Sequence, residues 1–456
     1  MKNWMINIVL IVLLTINLTA AQMWAQQDEK VLTLDEAMRI AVDANISLKQ
    51  AANQVKSGEV SVKLSKTGFY PEFSLAASSS RTFGKDYDLT TGTYTAKNST
   101  SLNLSLSSSI NLFNGFYDKA SLQQSKFELS AMEETLSRSR QAVLYETIQR
   151  FFQVVTTREA VKVEQENLES QRLQLIRIEA FCAAGRRPTT DLYQQKAEIA
   201  AAEYRILEAQ RNYQVNKLLL KQTLGQEADS NYDVLSPDID RLLERAGTFT
   251  ETNDLTKALE LRPDVNAEKM QVEAAKKGVK VSQAGYWPKL SLFADVGSNY
   301  SSRIEYADFS DQLLDGNISG AIGLSLSVPI FDKSRTKYGV AAAKINLGNT
   351  QLSLEKLEQQ VGVEVQKAVE DYRTALKQLE VTAVQAKYTQ AALESVRERY
   401  NVNAATMVEL TQARSNHREA QLSQVEAKFN LLVCRIAIAY YKGDTRTMLS
   451  LLDVGV

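Results

Sequence analysis

The chain has 456 residues, with 53 Lys+Arg against 54 Asp+Glu and 23% charged positions. This near-zero balance excludes nucleic-acid binding through bulk charge. Six prolines and 19 glycines leave little punctuation, so long uninterrupted elements are expected rather than many short ones.

Residues 1–21 read as a secretory signal. Lys2 supplies the positive start, Ile6 to Leu18 the apolar stretch, and Thr19-Ala20-Ala21 the small residues of a cleavage site, with Ala25 as a later alternative. The stretch is short for a membrane span. No later window approaches about 18 consecutive apolar residues, so no transmembrane helix is expected in the mature chain. Cys182 and Cys434 are the only thiols, and no disulfide is expected between them.

A first repeat is expected over 34–225. A helical pattern starts at Leu34, with Thr33 or Asp35 placed to cap it, and runs to about Lys66. Pro71 opens a strand over about 71–84, in which Phe73, Leu75 and Ala77 alternate with serines. A polar stretch from about Gly84 to Ser99 follows. A clearer strand over about 100–113 sets Leu102, Leu104, Leu106, Ile110 and Leu112 between Asn103, Ser105, Ser107, Ser109 and Asn111. From about Tyr117 to Ala183 a helical pattern runs without proline; at about 1.5 Å per residue it would be on the order of 100 Å long. The turn Ala184-Gly185-Arg186-Arg187-Pro188 places Gly185 for a left-handed cap and Pro188 for the first turn of the next helix, about Thr189 to Leu224.

Residues 226–253 fall outside the pattern and are expected to be a linker. A second repeat over 254–442 then restates the first. Gly68-Phe69-Tyr70-Pro71 recurs as Gly285-Tyr286-Trp287-Pro288, and Ile110-Asn111-Leu112-Phe113-Asn114 as Val328-Pro329-Ile330-Phe331-Asp332, at offsets of 217 and 218 residues. A duplication this long predicts two similar units around a pseudo-symmetry axis. Strands are expected over about 288–300 and 317–331, and a second long helix from about Lys333 to Asn403. There Val365, Tyr372, Leu379, Ala386, Leu393 and Tyr400 lie seven apart, with Val361, Ala368, Ala375, Thr382, Thr389 and Val396 as the companion series. A sustained seven-residue period implies a left-handed coiled coil. Asn403 in the turn after it suits a left-handed cap. Residues 443–456 form a tail outside the repeat.

The strands have one apolar face and one Ser/Asn/Gly face, at a length suited to tilted membrane strands. Phe69, Tyr70, Phe113, Phe116, Tyr286, Trp287 and Phe331 cluster at their helix-side ends, like an interfacial belt. A membrane barrel is therefore expected over a soluble sheet. Four strands cannot close one, so it must be shared between copies: two would give a plugged eight, three would give twelve with a lumen.

The order of elements, the duplication, the strand-opening Tyr70-Pro71 and Trp287-Pro288, and the turn segments Phe181…Gly185…Thr190-Asp191-Leu192 and Tyr400…Asn403…Thr406-Met407-Val408-Glu409-Leu410 resemble the TolC-like outer membrane factors over nearly the whole mature chain. The resemblance implies a mixed α and β membrane protein: a homotrimer with a 12-stranded transmembrane β-barrel, four strands per protomer, continued by an α-helical coiled-coil tunnel into the periplasm. It implies a passive efflux conduit in outer membrane lipid, docked to a periplasmic adaptor and an inner-membrane pump, the pump here expected to be proton-driven. By the same resemblance Glu409 and Gln412 match acidic ring positions at the pore entrance, of which only Glu409 keeps the charge. The turn residues Gly185, Arg186, Arg187, Thr190, Asp191, Tyr400, Asn403 and Ala404 match the adaptor-docking tip. The family holds that tip shut with a bond between an acidic residue, matching Asp191, and a basic one, matching Ala405. Alanine cannot supply it, which leaves Arg186 or Arg187 as the partner of Asp191. Residues 226–253 and the tail match segments that form a belt around the helices.

Catalytic, cofactor and metal constellations are absent from the sequence. His417 is the one histidine, and no Cys-x-x-Cys, His-Glu-x-x-His, phosphate-cradling Gly-rich turn or Gly-x-Ser-x-Gly elbow occurs. No enzyme, cofactor or nucleic-acid partner is expected. The alternatives are a periplasmic coiled-coil adaptor or scaffold without a pore, and the outer membrane conduit of a type I protein secretion system.

Overall fold

The computed structural model describes residues 30–88, 92–96, 98–226, 232–247, 255–304 and 307–452. The expected signal lies outside them. In chain order come β1 (Lys30–Leu32), α1 (Leu34–Ala44), α2 (Ile46–Thr67), β2 (Glu72–Thr82), β3 (Lys85–Asp88), β4 (Thr93–Ala96), β5 (Ser99–Asn114), α3 (Tyr117–Ala183), α4 (Thr189–Thr223), β6 (Tyr232–Val234) and α5 (Ile239–Ala246). Then follow α6 (Leu255–Leu261), α7 (Pro263–Gln283), β7 (Lys289–Ser301), β8 (Ser319–Ser327), α8 (Arg335–Asn401), α9 (Met407–Tyr441) and α10 (Thr445–Ser450). The chain divides into two compact units, one of residues 52–135 and 264–358, the other of the remainder.

The first unit carries a four-stranded antiparallel sheet in the order β2-β5-β7-β8. Its register aligns the apolar positions across all four strands. Leu75 faces Leu106, Leu106 faces Val296 and Val296 faces Gly320; four residues along, Ile110 faces Leu292 and Leu292 faces Leu324. The alternate rows are polar: Ser74 faces Ser107 with hydroxyls 2.7 Å apart, and Ser107 faces Asp295. Side chains on a strand alternate faces, so this register gives one apolar and one polar surface. Phe73, Leu75, Ile322, Leu324 and Leu326 are exposed, and the outer edges of β2 and β8 have no partner strand among the described residues.

The two repeats start their long helices alike. Asn114 and Asp332 each cap the following helix, Asp332 accepting from the Thr336 N–H at 2.8 Å. Each is followed by two residues in the left-handed region, Gly115 and Phe116, then Lys333 and Ser334. Gly115 is obligatory: a Cβ there would stand 2.6 Å from the Ala284 carbonyl oxygen.

Several elements differ from the sequence expectations. The last strand, expected over 317–331, ends at Ser327, because Pro329 has no N–H to give a ladder. The polar stretch after Gly84 contains the β3–β4 hairpin, whose Tyr87 and Tyr94 rings lie 5.0 Å apart. The first helix is broken at Asn45, which leaves the helical region. Its Oδ1 accepts from the Leu48 N–H at 3.2 Å and its Nδ2 donates to the Thr223 carbonyl at 3.0 Å. Asparagine offers the backbone an alternative to the helical bond, and here a partner on α4 holds it. Pro188 is the N-cap of α4, one residue earlier than its expected place.

The second unit holds the main core, in which Ile148, Phe151, Phe152, Leu220, Leu224, Leu432 and Ile436 are buried. The expected linker and tail are part of it. β1 pairs parallel with β6, and Arg158 donates to the Val234 carbonyl and pairs with Asp233 at 3.4 Å. Met448, Leu449, Leu451 and Leu452 of the tail are buried in the same cluster. Burial alone would raise the Asp233 carboxyl, but bonds from Tyr213 and the Val234 N–H, with the Arg158 charge, outweigh it and hold the group below its ordinary value. A depressed carboxyl stabilises the fold above the unfolded-state value near 3.8 and loses that contribution as pH falls further. Along α8 the heptad series faces inward: Val361, Val365, Ala368, Tyr372, Ala375, Ala386 and Tyr400 are buried. Phe152→Ala should cost about 3–5 kcal/mol by opening a cavity between Phe151 and Phe429, read as a lower thermal unfolding midpoint.

Candidate functional site

The two inter-helix turns of the second unit build the site. After α3, Gly185 has φ +67°, with N–H bonds from Gly185 to Cys182 and from Arg186 to Phe181. After α8, Asn403 has φ +64°, with the matching bonds to Tyr400 and, from Ala404, to Arg399. Both are paired i−3 and i−5 closures around a left-handed residue, which glycine and asparagine adopt at least cost. Beneath them Ile178, Tyr400, Ala405, Met407 and Leu410 form a small buried core. Ala405 thus contributes packing, not charge.

Arg187 joins the two turns. Its guanidinium lies over the Tyr400 ring at 3.8 Å from the centroid and donates to the Tyr400 carbonyl. It also pairs with Asp191 at 3.4 Å, with side chains only 10% and 15% exposed. The Tyr400 hydroxyl donates to the same carboxylate at 2.9 Å. Burial, and that bond to a carboxylate, push the Tyr400 phenol above its ordinary range. Three groups from two hairpins therefore form one closed triangle. Arg186 takes no part: it is exposed, beside the Phe181 ring at 5.4 Å. Gly185, Thr190, Asn403 and Ala404 are exposed around the triangle.

Glu409 is the third residue of α9 and closes a capping box: Thr406 accepts from the Glu409 N–H at 3.2 Å while Glu409 accepts from the Thr406 N–H at 3.3 Å. Its second oxygen pairs with Arg399 at 3.3 Å, both groups about half exposed. The Thr-x-x-Glu spacing announces that cap in the sequence. Arg399 has no such signal, because its contact crosses the turn. Gln412 is exposed and donates to Asn416 at 2.8 Å. Glu409 and Gln412 border one cleft of about 430 Å³ between α8 and α9, with Val396 and Val408 on its wall.

The aromatic set lies in the other unit. Phe69, Tyr70, Tyr286, Trp287 and Phe331 are exposed, and Phe113 is half-buried with its ring edge-on to Phe116 at 5.2 Å. They flank the ends of β2, β5, β7 and β8 from which the helices leave. No described helix is long and apolar enough to cross a membrane, and no group of metal-ligating side chains occurs among the described residues.

A family model described as outer membrane efflux protein matches residues 38–226 and 255–443, one block per repeat. The outer membrane efflux protein BepC of Brucella suis is 22% identical over 89% of this chain and 84% of its own length. The pyoverdine export outer membrane protein OpmQ of Pseudomonas putida is 24% identical over 87% and 84%. Among solved structures, CusC superposes with a TM-score of 0.80 at 16% identity, covering 90% of this chain and 92% of that one. The outer membrane protein VceC of Vibrio cholerae gives 0.77 at 19% identity, covering 90% and 96%.

Proposed function

Because the chain belongs to the outer membrane efflux protein family, we propose that it is a passive trimeric conduit, three copies closing one 12-stranded barrel in outer membrane lipid and extending it as a helical tunnel into the periplasm. The observation that carries this reading is the four-stranded sheet with an aligned apolar face and two unpaired edges. In lipid such edges are costly until another strand covers them, and only a closed barrel covers all of them. Exposed apolar stripes support the same assembly: Tyr204, Leu207, Val215 and Leu218 on α4, and Val381, Val384 and Tyr388 on α8. At such spacings each stripe covers one helix face, suited to a neighbouring copy.

The polar strand faces line the lumen. The turns around Gly185 and Asn403 dock a periplasmic adaptor, and an inner-membrane pump, proton-driven, supplies the energy. Outer membrane fractionation, followed by light scattering on the detergent-extracted protein, tests the assembly. The expected result is a trimer; a soluble periplasmic monomer or dimer would sink the conduit.

The carboxylates of Glu409, three per trimer, set cation affinity at the entrance. Multivalent cations should block conductance, and Glu409→Gln should raise the blocking concentration by about tenfold through lost Coulombic attraction. Glutamine still serves the capping box, so the helix start is kept while the charge is removed. Equal block in the variant would place Glu409 away from the constriction.

A further inference from the structure

A cavity of about 200 Å³ lies between α3, α4 and α9, above the turns, with Asn167, Arg205, Thr411, Arg414 and Arg418 in its wall. Of its three arginines two are ion-paired and one is not. Arg418 pairs with Glu164 at 2.8 Å and with Glu419 at 3.5 Å, and the Arg205 Nε stands 3.6 Å from the other oxygen of Glu164. Arg414 is 9% exposed. It donates to the Gln195 Oε1 at 3.3 Å and makes no ion pair among the described residues. Burial lowers its guanidinium to about 10, nearby Arg397 adds to this, and Tyr400 and Glu198 only partly offset it. Glu198 shares the wall with Arg414, but no carboxylate oxygen among the described residues lies within ion-pair distance of the Arg414 guanidinium.

The wall also holds buried polar atoms with no hydrogen-bond partner: Asn167 Nδ2, Arg205 Nε and Thr411 Oγ1. Two are obligate donors and the third can donate. A buried cation and buried donors each cost free energy until matched. We propose that this cavity is a binding site for a small oxyanion of the phosphate or sulfate class. Its charge balances Arg414, and its oxygens accept from Asn167, Arg205 and Thr411. Guanidinium groups match oxyanions in geometry as well as charge. The volume exceeds the roughly 30 Å³ share of one water several-fold, which suits a polyatomic ion that reaches donors on three helices at once. All these donors belong to one chain, and the three unpartnered atoms are buried within it. The site is independent of the conduit reading.

The test is the thermal unfolding midpoint of the detergent-purified full chain, with inorganic phosphate and then sulfate exchanged for chloride at constant ionic strength and pH. The wild type should show a saturable rise. Arg414→Gln should abolish the saturable part, and Thr411→Val should raise the half-saturating concentration about tenfold by removing one bond to the anion. A phosphate dependence that is absent, or equal in the wild type and Arg414→Gln, overturns the site. So does a crystal from phosphate in which a carboxylate of a neighbouring copy lies against Arg414. Should Arg414→Gln fail to fold, unchanged half-saturation in Thr411→Val is decisive against it.

Discussion

In the proposed conduit, Arg187→Ala should leave the periplasmic end open, with resting conductance in planar bilayers several-fold above that of the wild type. The geometry sets the expectation. One guanidinium holds the Tyr400 ring, the Tyr400 carbonyl and the Asp191 carboxylate together, and so ties the α3–α4 turn to the α8–α9 turn. A desolvated cation–π contact contributes about 2 kcal/mol, and a hydrogen bond to a charged group about 1.5–3 kcal/mol. Losing either shifts a closed-to-open balance by more than tenfold in each protomer, about thirtyfold for 2 kcal/mol. Tyr400→Phe keeps the ring and removes only the 2.9 Å bond to Asp191, so its rise should be smaller. Arg186→Ala should leave conductance unchanged, since the Arg186 side chain is exposed and lies beside the Phe181 ring of its own hairpin. Wild-type conductance in intact Arg187→Ala trimers would show that the triangle does not hold the entrance.

An effect on stability as large as that of Phe152→Ala is expected at the junction of α6 and α7. Arg262 is 2% exposed, pairs with Glu364 on α8 at 2.6 Å and donates to the Tyr441 carbonyl at 3.3 Å. Gly443, at φ +76°, permits this packing: a Cβ there would lie 3.0 Å from the Arg262 nitrogen. Glu364→Ala takes the carboxylate away from a buried cation and should cost about 3–5 kcal/mol. Replacing both partners with apolar residues of similar volume should recover most of that loss, because the desolvation penalty disappears with the charge. Melting temperatures of the two single variants and the double variant measure the coupling. Additive losses would mean the pair is incidental to the fold.

What the sequence determined by itself is whatever has a short period. Alternation at two placed β2, β5, β7 and β8, and the aligned register followed from it because a slip of one residue would turn every leucine to the polar side. The seven-residue series of α8 named its own buried seam. Gly185 and Asn403 marked left-handed turns because few other residues accept that backbone. The resemblance carried by the turn segments led to Arg187 or Arg186 as the partner of Asp191, but not to which. Both are one residue apart on a turn, and only the path of the backbone decides which guanidinium reaches Tyr400.

Tertiary structure decided the rest. The pairing of β1 with β6 joins two three-residue strands about 200 positions apart, too short for any periodic signal. The tail is buried because its leucines meet a core built from α1, α3 and α9, which no local pattern encodes. The break at Asn45 depends on a carbonyl of α4. Nothing beside Arg262 or Arg414 in the sequence says what each guanidinium will meet. One meets a carboxylate from a distant helix and the other meets none, since a charge finds its counter-charge through packing in space, not through neighbours along the chain.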